Sequence, residues 1–330
     1  MPQIHEAEAY AAAMSPDINR RGIGAFVLFS FGLAWLIALP LWTSRSGLHA
    51  SWARVDMALM MFTPAIATFI VSRWVSPSHN LGVETGLRLL VPGSRAIRFW
   101  IFGWFAFPVL VLGSLLLGVL LGLYPMDLRE LSGFRAILES SRGGKIALER
   151  FSVHQLAALQ LAAGLIGPIF NMPFTFGEEW GWRGYLLPKL LPLGQWRALI
   201  IGGVIWGLWH APVIALGYNY PLHPRLGVLL MICFCVLLSI ILGWTRLATG
   251  SIWPAVIGHA SLNAWAGTPH LFLKKGAQID AAVVGITGWT GWTLLVLFIA
   301  FLVLTQRLPV ADPPDSRISP PLAPASRCQH

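Results

Sequence analysis

The chain has 330 residues, 56% of them hydrophobic and only 11% charged, with a mean hydropathy of +0.67 and a formal net charge of +9. Those values exclude an ordinary soluble domain and imply an all-α, polytopic membrane protein. The basic residues are scattered through short loops without a Lys/Arg block or aromatic–basic alternation, which argues against nucleic acid and makes anionic membrane lipids the partner of that charge.

In chain order, residues 1–23 form a polar, Ala-rich N-terminal segment that reaches Arg20 and Arg21 just before the first apolar run, 24–42. Basic-then-apolar is also the order of a signal peptide. The run is nearly 20 residues long and no small-x-small site follows it, so an uncleaved first span is expected. Further apolar runs at 57–75, 99–123, 156–174, 198–216, 226–247, 252–266 and 285–305 bring the expectation to eight transmembrane helices, the seventh short, within a domain spanning 24–307. Trp42, Trp74, Trp100, Tyr124 and Trp196 fall near the ends of these runs, as an interfacial aromatic belt requires. With an even number of spans, 13 of the 23 Lys and Arg lie on the side holding both termini, and five of the other ten fall in one loop, 125–150. The bias predicts cytoplasmic termini. In that loop Leu128, Leu131, Phe134, Ile137 and Leu138 have helical spacing, which reads as an interfacial amphipathic helix or else a solvated connector. The tail, 308–330, is rich in Pro, Ser and Ala and reads as disordered. Cys233 and Cys235 lie in an apolar run and read as packing residues, and Cys328 sits one position too late for a prenylation box.

Against this background Glu178 and Glu179, in FGEEWGWRGYLLPK, read as the only acids in or beside a long apolar run, and carboxylates in that setting are functional candidates by default. Glu179 and Arg183 are four apart and share a helical face, so they can form a charge-assisted pair. Glu178 is turned away by about 100°. A carboxyl left without its own cation in a low-dielectric setting is the starting point for a general base that works near neutral pH. The alternative is that both acids only bind Arg183 and Lys189. Trp206 and His210 share a face in the fifth run, and His259 and Asn263 share one in the seventh. Two donors on one face can hold a developing oxyanion, whereas bonding between helices is the other role open to them. Together these residues supply what hydrolysis of an amide bond by activated water needs. No HExxH, no mid-membrane Asp and no GxSxG competes, and Ser251 with His259 makes a poorer dyad than His259 with Asn263.

GEEWGWRG resembles the EExxxR motif, WGLWH the (F/W)xxxH motif and HASLN the HxxxN motif of the CAAX-prenyl-protease and bacteriocin-processing family of intramembrane endopeptidases (CPBP, Abi or type II CAAX proteases). MMFTPAIATFI and the GLRLL loop are also similar to that family's early helix and following loop, so the likeness covers most of 57–267, with the motif core at 153–267. The resemblance implies that Glu178 activates water with help from His210, that Glu179 and Arg183 hold the loop, and that His259 and Asn263 form an oxyanion hole. It leaves the metal open: a metal-free glutamate mechanism is favoured because Glu179 and Asn263 then have roles, while Glu178, His210 and His259 also match a catalytic zinc set. The implied substrate is a membrane-associated or lipidated peptide or protein, while the Arg/Trp/Pro-rich style of an uncleaved multi-pass chain reads as that of a bacterial cytoplasmic membrane. The rival classes are a non-proteolytic immunity factor or scaffold and a proton-coupled transporter, the latter disfavoured by the lack of internal symmetry.

Overall fold

The structure, a computed structural model, describes residues 18–89 and 96–310. Among the described residues there is no β-strand, only one isolated bridge between Met126 and Leu273. The chain opens with α1 (Arg20–Thr43), capped by the Asn19 side chain on the Gly22 N–H. Its buried face repeats every fourth residue, Gly22, Phe26, Ser30, Ala34 and Ala38, while Leu28, Leu36 and Leu39 are exposed. Small residues at helical spacing let backbones approach where lipid supplies no hydrophobic drive between helices, and this face lies against α2 (Ala53–Met60) and α3 (Thr63–Ile70). A π-helical turn, Val71–Val75, ends that pass. Helix α4 (Ala96–Leu120) follows, then the short α5 (Ser132–Glu139) and α6 (Arg142–Arg150).

Helix α7 (Val153–Glu179) starts from a capping box in which Ser152 and Gln155 exchange side-chain bonds with each other's backbone N–H. It continues through a π-helical turn, Trp180–Leu186, into a helical stretch that reaches Leu193, 41 residues in all. The remaining helices are α8 (Gln195–Trp209), α9 (Pro224–Thr249), α10 (Trp253–Trp265) and α11 (Trp289–Leu304). Helix α8 lies tightly on α9: a Cβ on Gly203 would stand 2.5 Å from Val236 Cα, and one on Gly207 2.5 Å from Ile232 Cα. Helix α10 is packed among α4, α7 and α9, and every residue from Pro254 to Leu262 is buried.

Each of the eight apolar runs is helical, but among the described residues five helical segments, not eight, are long and apolar enough to cross a membrane: Arg20–Thr43, Ala53–Val75, Ile97–Leu120, Val153–Leu193 and Pro224–Thr249. Helices α8, α10 and α11 have 15, 13 and 16 residues. At 1.5 Å per residue they fall short of a hydrocarbon core about 30 Å thick. Length and apolarity by themselves therefore support an integral membrane protein without fixing eight crossings. Bonds at the helix ends sort into two sets. Asn19 bonds Ser76, Lys189 stands 3.9 Å from Glu84, and Gln195 exchanges bonds with Val310 at one end. Tyr124 bonds the Pro269 carbonyl, Trp42 the Pro212 carbonyl, and His223 pairs with Asp280 at the other. Both ends of the described chain therefore lie at the same end of the bundle.

Four further expectations are corrected. Asp56 falls in the first turn of α2, inside the second spanning segment, so Glu178 and Glu179 are not the only acids there. The loop 125–150 is two short helices, because Ser141 takes an extended conformation (φ −119°, ψ 148°) between them and caps α6 through its side chain, while left-handed Leu131 (φ 48°) precedes α5. Leu131, Phe134 and Leu138 pack on Val153 and Leu271, while Leu128 and Ile137 remain exposed. Tyr124 is buried, not an interfacial anchor. The fourth change concerns the apolar run expected to end at 174: the helical segment continues to Leu193 and carries Glu178 and Glu179 within it, as their helical pairing requires. The disordered-tail reading of 311–330 and Cys328 lie outside the described residues. Of the cysteines within them, Cys233 is exposed and Cys235 buried, and neither is in a disulfide.

Candidate active site

The end of α7 is drawn against α2 and α3 by two glycines four apart. A Cβ on Gly177 would stand 2.6 Å from the Met61 carbonyl oxygen, and one on Gly181 2.3 Å from Pro64 Cβ. This close approach seats the acid pair in the protein interior: Glu178 is 2% exposed and Glu179 0%. Arg183, on the π-turn, is 2% exposed, and its Nη1 donates to Glu179 Oε1 at 3.0 Å. The same oxygen lies 2.9 Å from His259 Nδ1, delivered by α10. A carboxylate only accepts, so this ring nitrogen carries the proton. Glu179 thus binds a guanidinium and an imidazole together, and burying three such groups is tolerable because each has a partner.

Glu178 faces elsewhere. Its Oε2 accepts from the indole Nε1 of Trp206 at 2.7 Å. The Trp206 ring is also 4.2 Å from the Arg183 guanidinium carbon and 5.3 Å, edge on, from the His259 ring. One side chain therefore touches the general-base candidate and both partners of Glu179, which makes Trp206 the centre of the cluster. His210, at the C-terminal end of α8, has Nδ1 2.9 Å from the Trp206 carbonyl oxygen. A carbonyl cannot donate, so Nδ1 holds the proton and Nε2 of a neutral ring offers its lone pair.

The sequence-predicted site residues thus fall into two groups. Glu178, Glu179, Arg183, His210 and His259 are joined by contacts through Trp206 or directly. Asn263 is one turn beyond His259 on α10, its side chain is exposed, and no hydrogen bond to the cluster forms. The partner of His259 is Glu179, not Asn263. Two participants escaped the sequence reading. Trp206 reads only as sharing a helical face with His210, yet its indole N–H is the donor that Glu178 uses. Cys235 reads as packing, yet its thiol lies 3.9 Å from His210 Nδ1, placed there by the tight α8–α9 contact; no spacing rule pairs residues 25 apart on different helices.

As the side chains stand they do not fit a zinc site. Among the described residues no group of three or more His, Cys, Asp or Glu is arranged to hold a metal ion; both imidazoles engage Nδ1 within the protein, which leaves Nε2 as the nitrogen a ligand would use.

Residues 154–265, which hold all five joined residues and Asn263, match the family described as Type II CAAX prenyl endopeptidase Rce1-like. None of the curated proteins matches the chain. That segment is similar to the CAAX proteases, a family of peptide-bond hydrolases.

Proposed function

We propose that the chain, an integral membrane protein with a CAAX-protease segment at 154–265, is an endopeptidase that cuts a membrane-associated or lipidated peptide by water activated at Glu178. The observation that carries the reading is the division of labour between adjacent acids: Glu179 is bound by Arg183 and His259, while Glu178 takes only the Trp206 N–H. Glu178 takes a proton from water while His210 Nε2 accepts from the same water and orients it. The resulting hydroxide adds to the scissile carbonyl carbon, and the carbonyl electron pair moves to its oxygen. His259 has Nδ1–H committed to Glu179, so its donation to that oxyanion comes from Nε2–H. Asn263 Nδ2 serves as a second donor once substrate covers its exposed side chain. Collapse re-forms the carbonyl, breaks the C–N bond and passes the proton from the Glu178 carboxyl to the leaving amine nitrogen. Trp206 and Arg183 hold the geometry. Cytoplasmic termini and a bacterial cytoplasmic membrane complete the proposal.

The test is cleavage of membrane-anchored, dye-quenched peptides in proteoliposomes, with terminal-peptide mapping after co-expression with a membrane proteome. Wild type generates new termini that Glu178→Ala and His210→Ala do not; identical termini in all three overturn the reading. The deep burial of Glu179, Arg183 and His259 equally fits a packing cluster in a non-proteolytic scaffold, the outcome that identical termini would favour. Strong chelation leaves cleavage intact under the glutamate mechanism, and a loss that only Zn²⁺ restores overturns that part.

A further inference from the structure

The two π-helical turns, Val71–Val75 and Trp180–Leu186, come together at the end of the bundle that holds both described chain ends. Between them is a cleft lined by Ser72, Glu84, Thr85, Tyr185 and Lys189, with about 10 Å³ open to the centre of a water molecule. That is the room one water needs and little more. The polar groups around it are of two kinds. Thr85 Oγ1 donates to the Leu81 carbonyl at 2.6 Å and accepts from Trp180 Nε1 at 2.9 Å, and Glu84 Oε1 accepts the N–H groups of His79 and Asn80. Ser72 Oγ and Tyr185 Oη, on residues 7% and 3% exposed, meet no donor or acceptor among the described residues.

A buried hydroxyl without a partner is disfavoured in any folded chain. Here two of them line the same cleft, one from each π-turn. The Lys189 ammonium beside them, 3.9 Å from Glu84 Oε2, disfavours a bound cation, and the size excludes a larger ligand.

We propose that this cleft is a hydration site that binds one water molecule between Ser72 Oγ and Tyr185 Oη. The water links the two π-turns, and because Tyr185 is two residues beyond Arg183 it fixes the turn that carries Arg183 against the end of α3. The proposal does not depend on proteolysis. Its experiment compares thermal unfolding of wild type, Ser72→Ala, Tyr185→Phe and the double variant in detergent. Phe keeps the ring that stacks on Phe26 at 5.1 Å. Each single change lowers the midpoint by about 2 °C or more, and the double lowers it no further than the worse single, because a shared water is lost once. Additive losses overturn the proposal. A second readout needs no variant. X-ray radiolytic labelling, which marks side chains next to ordered water, modifies Tyr185 at a rate of the order seen for the exposed Tyr218; protection as complete as that of the fully buried Phe26 overturns it.

Discussion

Trp206→Phe isolates a single atomic contact. Phenylalanine keeps an aromatic face toward Arg183 and an apolar body in the same space, but it has no donor for Glu178 Oε2, now 2.7 Å from the indole nitrogen. A hydrogen bond to a charged group contributes about 1.5–3 kcal/mol, and each 1.4 kcal/mol is tenfold. If that bond holds the carboxylate in its working orientation, kcat falls by roughly 10- to 100-fold while KM changes little, since Trp206 acts on the base and not on bound substrate. The smaller ring also costs about 1 kcal/mol in packing, which a stability measurement alone would confuse with the lost bond. A double-mutant cycle separates the two. Trp206→Phe, Glu178→Gln and the pair are compared by thermal unfolding in detergent, and the coupling energy is expected at about 1.5 kcal/mol or above. Zero coupling refutes the contact. Coupling with unchanged kcat refutes only the claim that it orients the base.

Removing either partner of the Glu179–Arg183 pair leaves a charge stranded in the interior. Glu179→Ala and Arg183→Ala are each expected to cost about 3–5 kcal/mol, and replacing both with Met less than the sum; detergent melting curves decide. Gly181→Ala places a methyl 2.3 Å from Pro64 Cβ, so the π-turn must move away from α3. A lowered melting temperature together with lost peptidase activity is expected, and a fully active variant would show that the close approach is dispensable. Outside the spanning segments, Asp127 accepts from Ser132 and from the Glu130 N–H, which hold its carboxyl at about 2, below the ordinary 3.8. A depressed carboxyl stabilises the fold above the unfolded value and loses that contribution as pH falls from 3.8 through about 2. Limited proteolysis at 127–139 should rise over that window in wild type and show no such dependence in Asp127→Asn.

Features governed by local spacing were legible in the sequence. Glu179 and Arg183 meet at four residues' separation, as helical geometry demands, and Glu178 faces a different partner. The eight apolar runs all form helices, though three are too short to cross a bilayer unaided, because an apolar run records what an environment tolerates and not how far it extends. Between-helix contacts were not legible. The four-residue spacing of His259 and Asn263 places them on one side of α10 but says nothing about which helix stands opposite; Glu179 stands there for His259, and Asn263 extends past it. The same limit hid the Trp206 donor and the Cys235 thiol. The Cys235 contact depends on the approach of α8 to α9, which the glycines at 203 and 207 permit but do not announce, and the Trp206 bond on the approach of α8 to the end of α7.

Helix α10 is enclosed on every side through most of its length, and its 13 residues reach about 20 Å at 1.5 Å per residue. A segment that short gains little by entering a bilayer alone, and the helices that wall it in, α4, α7 and α9, all precede it in the chain. His259 is then the last of the buried ionisable groups to arrive. Until it does, Glu179 has only Arg183 for company, and the nascent chain carries its acids without the imidazole they require. The Glu179 cluster is thus completed by a side chain that follows both of its other members in the chain and is held by the walls on every side.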